Sequence, residues 1–183
     1  ESSGRVSITK NNAEVGALFT QLVNELFGIE NVRHIVDPRD EVNSWDFNSR
    51  AICRWIRTMI GYRAGDKRIP SEIMNGSKEE MRMFLSGLSL DGYKAVLKEG
   101  NDKTYIYFGK SKQLALGTFS LLKVLGYSPR LTSKVVNGYD WVAHGVCATG
   151  IDFCIEDRKN TPTNTDNELI KIPSSVYDTY IGY

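Results

Sequence analysis

Apolar residues along the chain follow two different spacings, which predict a mixture of strands and helices. Residues 4–9 alternate between apolar and polar side chains, as a strand with one buried face does. A helix is predicted to run from a cap at Asn11 or Asn12 to Phe27 and to stop at Gly28. Helical spacing then predicts an inward apolar face made of Val15, Leu18, Phe19, Leu22 and Leu26.

A second helix is predicted over residues 48–60, after strand-like stretches at 31–37 and 42–47. Asn48 is its expected cap and Gly61 its expected stop. The residues expected to face inward are Ile52, Trp55, Ile56 and Ile60.

The third predicted helix has a specific start signal. Ser77 and Glu80 are spaced as a capping box, after a loop over 62–70 and a short helical turn. This helix is expected to end at residues 91–92, an Asp-Gly pair. Its apolar side is expected to contain Met81, Phe84, Leu85 and Leu88.

The remainder of the chain reads mostly as short strands. Lys110 or Ser111 is expected to begin one further helix, which Gly126 closes. Strands are predicted at 93–98, 104–108, 128–136, 140–148, 151–156 and 168–182. A polar loop is predicted at 158–167. This order of elements indicates the α+β class.

The chain also contains an internal repeat with an offset of 98 residues. The aligned pairs are Ile8 with Ile106, Ala17 with Ala115, Leu18 with Leu116, Val23 with Leu121, Phe27 with Leu125, and Gly28 with Gly126. Residues 67–70 and 159–162 share a shorter Lys-x-x-Pro match. The helix that ends at residue 91 precedes only the second copy. We therefore expect the chain to be a fragment that lacks the leading helix of the first copy.

Composition excludes several classes of protein. The chain has 183 residues, of which 41% are hydrophobic and 25% charged, as in a globular protein of about one domain. No apolar run approaches the roughly 18 residues of a membrane helix, so no membrane partner is expected. The three cysteines form no C-x-x-C pair, which favours a reducing intracellular compartment, either cytoplasm or nucleus.

Positive charge is concentrated in one segment. The net charge is only +1, yet residues 94–134 contain eight basic and two acidic residues. The flanking segments balance it, with 12 basic and 13 acidic residues in 1–93, and three and seven in 135–183. Such a segment indicates an anionic partner, with a solvated face as the alternative.

Two related units suit a ligand with pseudo-twofold symmetry, and duplex DNA is the common one. Alternation along strands places Arg5, Ser7 and Thr9 on one face. It also places Tyr105 and Tyr107 on one face, opposite Thr104, Ile106 and Phe108. The candidate DNA-binding residues are Arg5, Ser7, Thr9, Lys94, Lys103, Tyr105, Tyr107, Lys110, Lys112, Arg130, Thr132 and Lys134. An ordinary solvated sheet face is the alternative.

One helical segment resembles a known family. Residues 77–93 (SKEEMRMFLSGLSLDGY) resemble the second signature helix of LAGLIDADG homing endonucleases, especially those inside inteins. Residues 67–73 (KRIPSEI) resemble the segment that this family places just before that helix. The resemblance extends over residues 4–162. It departs in one respect, because the family's helix glycine lies five positions before the acid, where Ser86 stands, and Gly87 lies four before it.

The resemblance implies a fold and an activity. The fold would be two pseudo-repeated units with helices packed on curved antiparallel sheets. The activity would be site-specific cleavage of double-stranded DNA with Mg²⁺ as cofactor, by a protein encoded in an intein. Asp91 would be a catalytic carboxylate that binds the metal, and Lys67 and Lys159 would flank the two catalytic centres. The alternatives are a catalytically inactive DNA-binding remnant and a structural insert with neither activity.

The resemblance also implies a division of the chain. Residues 1–76 would be the first half-unit without its signature helix, and 77–167 the second half-unit. Residues 168–183 would be a strand-like tail leading towards an intein splicing domain. One acid does not form a paired-carboxylate site, so a second chain or a missing segment would supply the other signature helix. We therefore expect the chain alone to cut DNA poorly.

Overall fold

The computed structural model describes residues 4–9, 13–38, 42–91, 93–96, 103–136, 138, 140–153 and 160–162. The described residues fall into two compact units that divide between Thr58 and Met59. We call the part before this point unit 1 and the part after it unit 2.

Unit 1 contains three strands and two helices. They are β1 (Arg5–Thr9), α1 (Ala13–Phe27), β2 (Arg33–Val36), β3 (Asn43–Asn48) and α2 (Arg50–Ile60). The strands form an antiparallel sheet in the order β1-β3-β2. The core of this unit contains Val6, Val23, Phe47 and Cys53. The strands and helices predicted in this region are therefore confirmed, with ends that differ by one or two residues.

Helix α1 buries only part of the apolar set predicted for it: Phe19 packs against the core and Val15 is half-buried. Leu18, Leu22 and Leu26 are exposed, whereas Gly16 and Val23 are buried. A Cβ atom on Gly16 would lie only 2.0 Å from Cε2 of Trp45. The helix therefore approaches the sheet at its smallest residue, where the indole fits against the backbone. Hydrophobic spacing did not predict this contact, because glycine adds nothing to an apolar pattern.

The start of α2 differs from the prediction, and its predicted inward face is confirmed for Ile52 and Ile56, which pack against the core of unit 1. Asn48 is the last residue of β3 and pairs with Arg5. Ser49 takes the capping role, since its Oγ accepts a hydrogen bond from the Ile52 N–H at 3.3 Å. Trp55 is exposed, whereas the smaller Cys53 is buried.

Unit 2 contains the remaining helices and a second sheet. Its elements are a 3₁₀ turn (Ala64–Asp66), α3 (Ser71–Met74), α4 (Lys78–Leu88), a second 3₁₀ turn (Ser89–Asp91), β4 (Tyr93–Val96), β5 (Lys103–Gly109), α5 (Lys112–Val124), β6 (Arg130–Val135), β7 (Val142–Ala148) and β8 (Asn160–Pro162). The strand order is β6-β7-β5-β4-β8. The predicted capping box is present at α4, with Glu80 N–H bound to Ser77 Oγ and Ser77 N–H bound to the Glu80 carboxylate. Met81 and Leu85 of this helix are buried in the core.

The two units repeat one topology. Each has a strand, a helix, and then an antiparallel strand pair whose second strand is central, as in β1-β3-β2 and β5-β7-β6. Gly28 and Gly126 end the equivalent helices with positive φ angles of 64° and 94°. The α+β class and the pseudo-repeat are thus confirmed. Among the described residues, only unit 2 has a helix and a strand, α4 and β4, ahead of the repeated elements.

Two predictions about the end of the chain need correction or lie outside the described residues. The polar loop predicted at 158–167 contains β8, which pairs in parallel with β4. Residues 151–153 form no strand, and 154–156 and 168–182 lie outside the described part of the chain. The half-unit division at residue 76 stays a prediction about the repeat, since the compact units divide at a different place.

The close approach of α1 to Trp45 gives a first prediction. Gly16→Ala should lower the free energy of unfolding by about 1–3 kcal/mol, because the added methyl overlaps the indole ring. Gly87→Ala is the matched control in α4, where a Cβ would meet nothing within 4 Å. It should be neutral or stabilising by about 0.5 kcal/mol. Urea unfolding followed by circular dichroism measures both changes, and equal stability of the two variants would contradict this packing.

Candidate nucleic-acid interface

Each sheet has one face covered by helices and one face turned away from them. In unit 1 the register fixes which residues share the second face, because partners across antiparallel strands point the same way. We call this face the open face of unit 1. It contains Arg5, Ser7, Thr9, Arg33, Ile35, Ser44, Asp46 and Asn48. The predicted set of Arg5, Ser7 and Thr9 therefore does share a face.

A buried carboxylate lies at the centre of this face. Asp46 of β3 has a side-chain exposure of 0%, although it carries a charge. Arg5 Nη2 from β1 lies 2.5 Å from its Oδ2, and Arg33 Nη2 from β2 lies 2.6 Å from its Oδ1. The two guanidinium groups balance the buried charge and leave this cluster with one net positive charge. Next to it, the hydroxyls of Thr9 and Ser44 are hydrogen-bonded at 3.0 Å.

A β-bulge in β5 changes the face that the sequence predicted for two aromatic residues. Tyr105 pairs with Cys147, but after the bulge Tyr107 pairs with Val146 and Phe108 with Gly145. Val146 lies in the core under the helices, so Tyr107 shares the helix-covered face. Phe108 moves to the opposite face, where a Cβ on Gly145 would lie 2.9 Å from its ring. The predicted common face of Tyr105 and Tyr107 is therefore wrong.

Tyr107 has a structural position in unit 2. Its phenolic oxygen accepts a hydrogen bond of 2.9 Å from the Ser111 N–H, and its ring packs on the core. Burial raises the pKa of Tyr107 to about 12, with the Ser111 hydrogen bond acting in the opposite direction. Tyr107 therefore has a structural role and is not available as a DNA contact.

The open face of unit 2 retains most of the other predicted residues. Arg130, Thr132 and Lys134 of β6 are exposed and pair with Cys147, Gly145 and Ala143. Tyr105 lies on the same face, through its pairing with Cys147. We call Tyr105, Phe108, Arg130, Thr132 and Lys134 the open face of unit 2. The two basic residues of this face, Arg130 and Lys134, therefore both lie on β6, at one edge of the sheet.

Lys67 is fixed at the start of α5 by a buried serine. Ser111 donates its hydroxyl hydrogen to the Lys67 carbonyl oxygen at 2.5 Å and accepts the Leu114 N–H at 3.1 Å. Ile69, two residues after Lys67, is buried in the core of unit 2. The exposed Lys110 and Lys112 flank Ser111 in sequence. The backbone of Lys67 thus lies beside a helix N-terminus that Lys110 and Lys112 flank in sequence, and the backbone N–H groups there favour anions.

Comparison with solved structures identifies the fold. No protein-family model matches the chain. Mesophilic variants of the homing endonuclease I-DmoI align at a TM-score of 0.52 and 17% identity, over 79% of this chain and 73% of theirs. I-DmoI in complex with DNA and Mn aligns at 0.53 and 17% identity, with the same two coverages. I-DmoI in complex with DNA and Ca gives 0.53 and 17%, over 79% of this chain and 68% of that one.

The chain has the LAGLIDADG homing endonuclease fold. The expectation drawn from residues 77–93 is therefore confirmed at the level of the fold. In this fold α4 is the helix that resembles the family signature. Asp91 ends the 3₁₀ turn that follows it, directly before β4. Its predicted catalytic and metal-binding roles stay predictions.

Other residues expected at a LAGLIDADG site are placed only in part. Lys94 pairs with Thr104, and Lys103 pairs with Ala95, but their side chains lie outside the described part of the chain. Lys159 lies outside it altogether. Within that part, no three His, Cys, Asp or Glu side chains converge as a metal site would require. None of the described helices is long and apolar enough to span a membrane.

Two residues of the open face of unit 1, Arg33 and Asp46, were not predicted from the sequence. Arg33 and Asp46 both lie in stretches that were predicted as strands. Alternation within one strand cannot show that they meet, because the contact depends on the register between β2 and β3. One feature of the sequence could have indicated a buried carboxylate: Asp46 is a single acidic residue between two large apolar residues, Trp45 and Phe47, both of which are buried.

Titration of Tyr107 tests the bulge. In the native protein its phenol should ionise near pH 12, above the ordinary value of 10.0. Since its pKa is raised on folding, the stability it contributes should be complete below pH 10 and be lost between pH 10 and 12. Absorbance at 295 nm after a rapid pH jump should lose this late component in Tyr107→Phe and keep it in Tyr105→Phe. Loss of a component near pH 10 from Tyr107→Phe would contradict the bulge.

Proposed function

We propose that the chain is a site-specific DNA endonuclease of the LAGLIDADG homing type, encoded in an intein and dependent on Mg²⁺. The observation that carries the proposal is the pair of open faces, each rich in cations and hydroxyls, on a homing endonuclease fold. Solved relatives of that fold hold DNA together with divalent metals. The intein context is supported by the resemblance of residues 67–93 to the intein-associated branch.

The open faces are proposed to contact duplex DNA. Arg130, Lys134 and Arg5 would neutralise phosphates, while hydroxyls such as Thr9 would donate to phosphate or base oxygens. Lys103 is proposed as a further phosphate contact on β5, whereas Lys94 pairs with the buried Thr104 and stays a prediction from the sequence. The repeated topology supports the view that each unit faces one half of the DNA site.

The catalytic residues are proposed around unit 2. Asp91 would hold one side of a divalent cation, which when bound would stabilise charge on the oxygens of the scissile phosphodiester. Lys67 would stabilise the same developing charge, since Ser111 fixes its backbone beside the start of α5. Lys159 is proposed for the equivalent role in the other half of the site. The described residues supply one candidate acid, so the second carboxylate must come from outside them.

The exposed side of α4 supports a place for a second signature helix. Met83 has 68% exposure, and Gly87, one turn later, has no atom within 4 Å of a built Cβ. Small residues such as Ser86 and Gly87 let two helices approach closely. We propose that a preceding segment or a second chain packs on this side and brings the other acid.

A second candidate is a DNA-binding remnant of the same fold. The register of α4 favours it, because Ser86 stands where the family has its glycine. The two candidates share DNA binding and differ in cleavage. Selection from a library of duplexes with 24 randomised base pairs provides a probe for both.

DNA binding is the first outcome to test. We expect the wild-type chain to enrich a consensus duplex from that library. If about six phosphates are neutralised, affinity should fall on the order of 10³-fold between 50 and 200 mM salt. Fluorescence anisotropy at four salt concentrations measures the slope. A chain that binds no duplex at 50 mM salt would exclude both candidates.

Cleavage of the consensus duplex with Mg²⁺ separates the candidates. We expect slow cutting by the chain alone and none by Asp91→Asn, with unchanged DNA affinity, because the substitution removes a metal ligand only. Asp140→Asn is the matched control, since Asp140 is an exposed acid of the same unit. Binding without any cutting by the wild type would favour the remnant, and equal cutting by Asp91→Asn would exclude Asp91.

Lys67 has a separate expected effect. Lys67→Ala should lower the cleavage rate by about 10²-fold, the usual loss when one transition-state contact is removed. Affinity for the consensus duplex should change less than threefold, as for one phosphate contact at moderate salt. Lys78→Ala, which removes an exposed lysine at the start of α4, should change neither quantity. An equal loss of rate in both variants would remove Lys67 from the catalytic centre.

A further inference from the structure

The Arg5–Asp46–Arg33 cluster has features that a simple phosphate contact does not need. Asp46 sits on the central strand and is fully buried, while its partners come from the strands on either side. The guanidinium groups cover the carboxylate, with side-chain exposures of 37% for Arg5 and 55% for Arg33. A ligand that reaches this face therefore meets the two arginines and not the acid.

Arg33 is held more firmly than Arg5. Its Nε and Nη2 atoms both approach Asp46 Oδ1, at 2.8 and 2.6 Å. Arg5 makes one ion-pair contact through Nη2, and among the described residues its Nε has no hydrogen-bond partner. The Oδ2 atom of Asp46 is likewise close to Arg5 but not aligned for a hydrogen bond. Arg33 is therefore the arginine whose guanidinium makes an aligned hydrogen bond to Asp46.

The contact with Asp46 fixes one edge of the Arg33 guanidinium and leaves the other available. Nε and Nη2 form the edge that faces the carboxylate. The Nη1–Nη2 edge still carries N–H donors, because a guanidinium has five in a rigid planar fork. Holding that plane in place before binding lowers the entropy lost when a ligand is bound.

The strand spacing of this sheet is compatible with its insertion into the major groove of DNA. Three strands at about 4.8 Å spacing place β1 and β2 roughly 10 Å apart. The major groove of B-DNA is about 12 Å wide and admits a two-stranded β-ribbon, such as β2 with the central strand β3. The centre of the sheet, where Asp46 holds the Arg33 guanidinium, would then face base edges, while side chains that stay over the outer strands would face phosphates.

We propose that Arg33 reads a guanine in the major groove through its Nη1–Nη2 edge, and that Asp46 is the residue that positions it. This inference rests on the proposed DNA-binding function and names a specificity determinant within it. Guanine offers O6 and N7 as a pair of acceptors that match an arginine fork. A buried acid under the arginine serves such readout because it fixes orientation, whereas a phosphate contact tolerates many orientations.

The test uses the consensus duplex selected by the wild-type chain, its single-base-pair variants and a scrambled duplex, all at 150 mM salt. Arg33→Ala should weaken binding to the consensus by about 10- to 100-fold and remove discrimination at one G·C pair. Arg33→Lys keeps the charge but not the fork, so it should restore affinity for the scrambled duplex without restoring discrimination. Arg54→Ala, an exposed arginine of α2, is the matched control and should keep the wild-type preferences.

Asp46→Asn separates positioning from stability. It removes a negative charge, so affinity for the scrambled duplex should rise by about a few-fold. The ratio of consensus to scrambled affinity should fall about tenfold, because Arg33 loses its fixed orientation. Circular dichroism checks that this variant folds, and if it does not, the two Arg33 variants still decide the matter.

Each remaining outcome has a distinct meaning. If Arg33→Ala weakens consensus and scrambled duplexes by the same factor, Arg33 is a phosphate contact and the inference is overturned. If Arg33→Ala changes only the unfolding midpoint, the cluster is structural and the inference is also overturned. If the wild-type chain enriches no sequence, the proposed function fails first, and the variants are not needed to show it.

Discussion

One buried residue, Ser111, connects three segments of unit 2: the loop that contains Lys67, the strand β5 and the start of α5. The Ser111 hydroxyl donates to the backbone carbonyl of Lys67 and accepts the Leu114 N–H in the first turn of α5. The Ser111 backbone N–H donates to the phenolic oxygen of Tyr107. The Lys67 segment is further anchored by Ile69 in the core. Because Ser111 is fully buried, losing one of these bonds would leave one of its polar groups without water or partner. The position of Lys67 is thus set by the core and not by its own side chain.

The bulge in β5 is part of the same arrangement. It places Ile106 and Tyr107 in succession on the helix side, so the phenol reaches the start of α5. It also moves Phe108 to the open face, where the ring lies over Gly145. One extra residue therefore determines both the anchoring of the Lys67 loop and the surface that the sheet presents. Bulges commonly have this effect, since they invert the alternation beyond them.

Unit 1 differs from unit 2 in having a buried carboxylate, that of Asp46, on its open face. A carboxylate excluded from water is costly unless cations meet it. Arg5 and Arg33 supply those cations from the two outer strands, so the face keeps a positive surface above a fixed acid. Unit 2 instead places its described open-face cations along one edge strand, β6. The two units share a topology but differ in how firmly their open-face cations are held.

The sequence by itself determined the class of fold, the repeat, nearly all helix and strand positions, and the capping box of α4. These follow from local periodicity and from hydrogen bonds between near neighbours. The sequence also predicted that Arg5, Ser7 and Thr9 share a face, because strand alternation is local. Only the tertiary structure decided which face of α1 is buried, where Tyr107 points, and that Asp46 lies between Arg5 and Arg33. Each of these depends on a close approach or a register between distant segments, and such contacts leave no periodic signal in the chain.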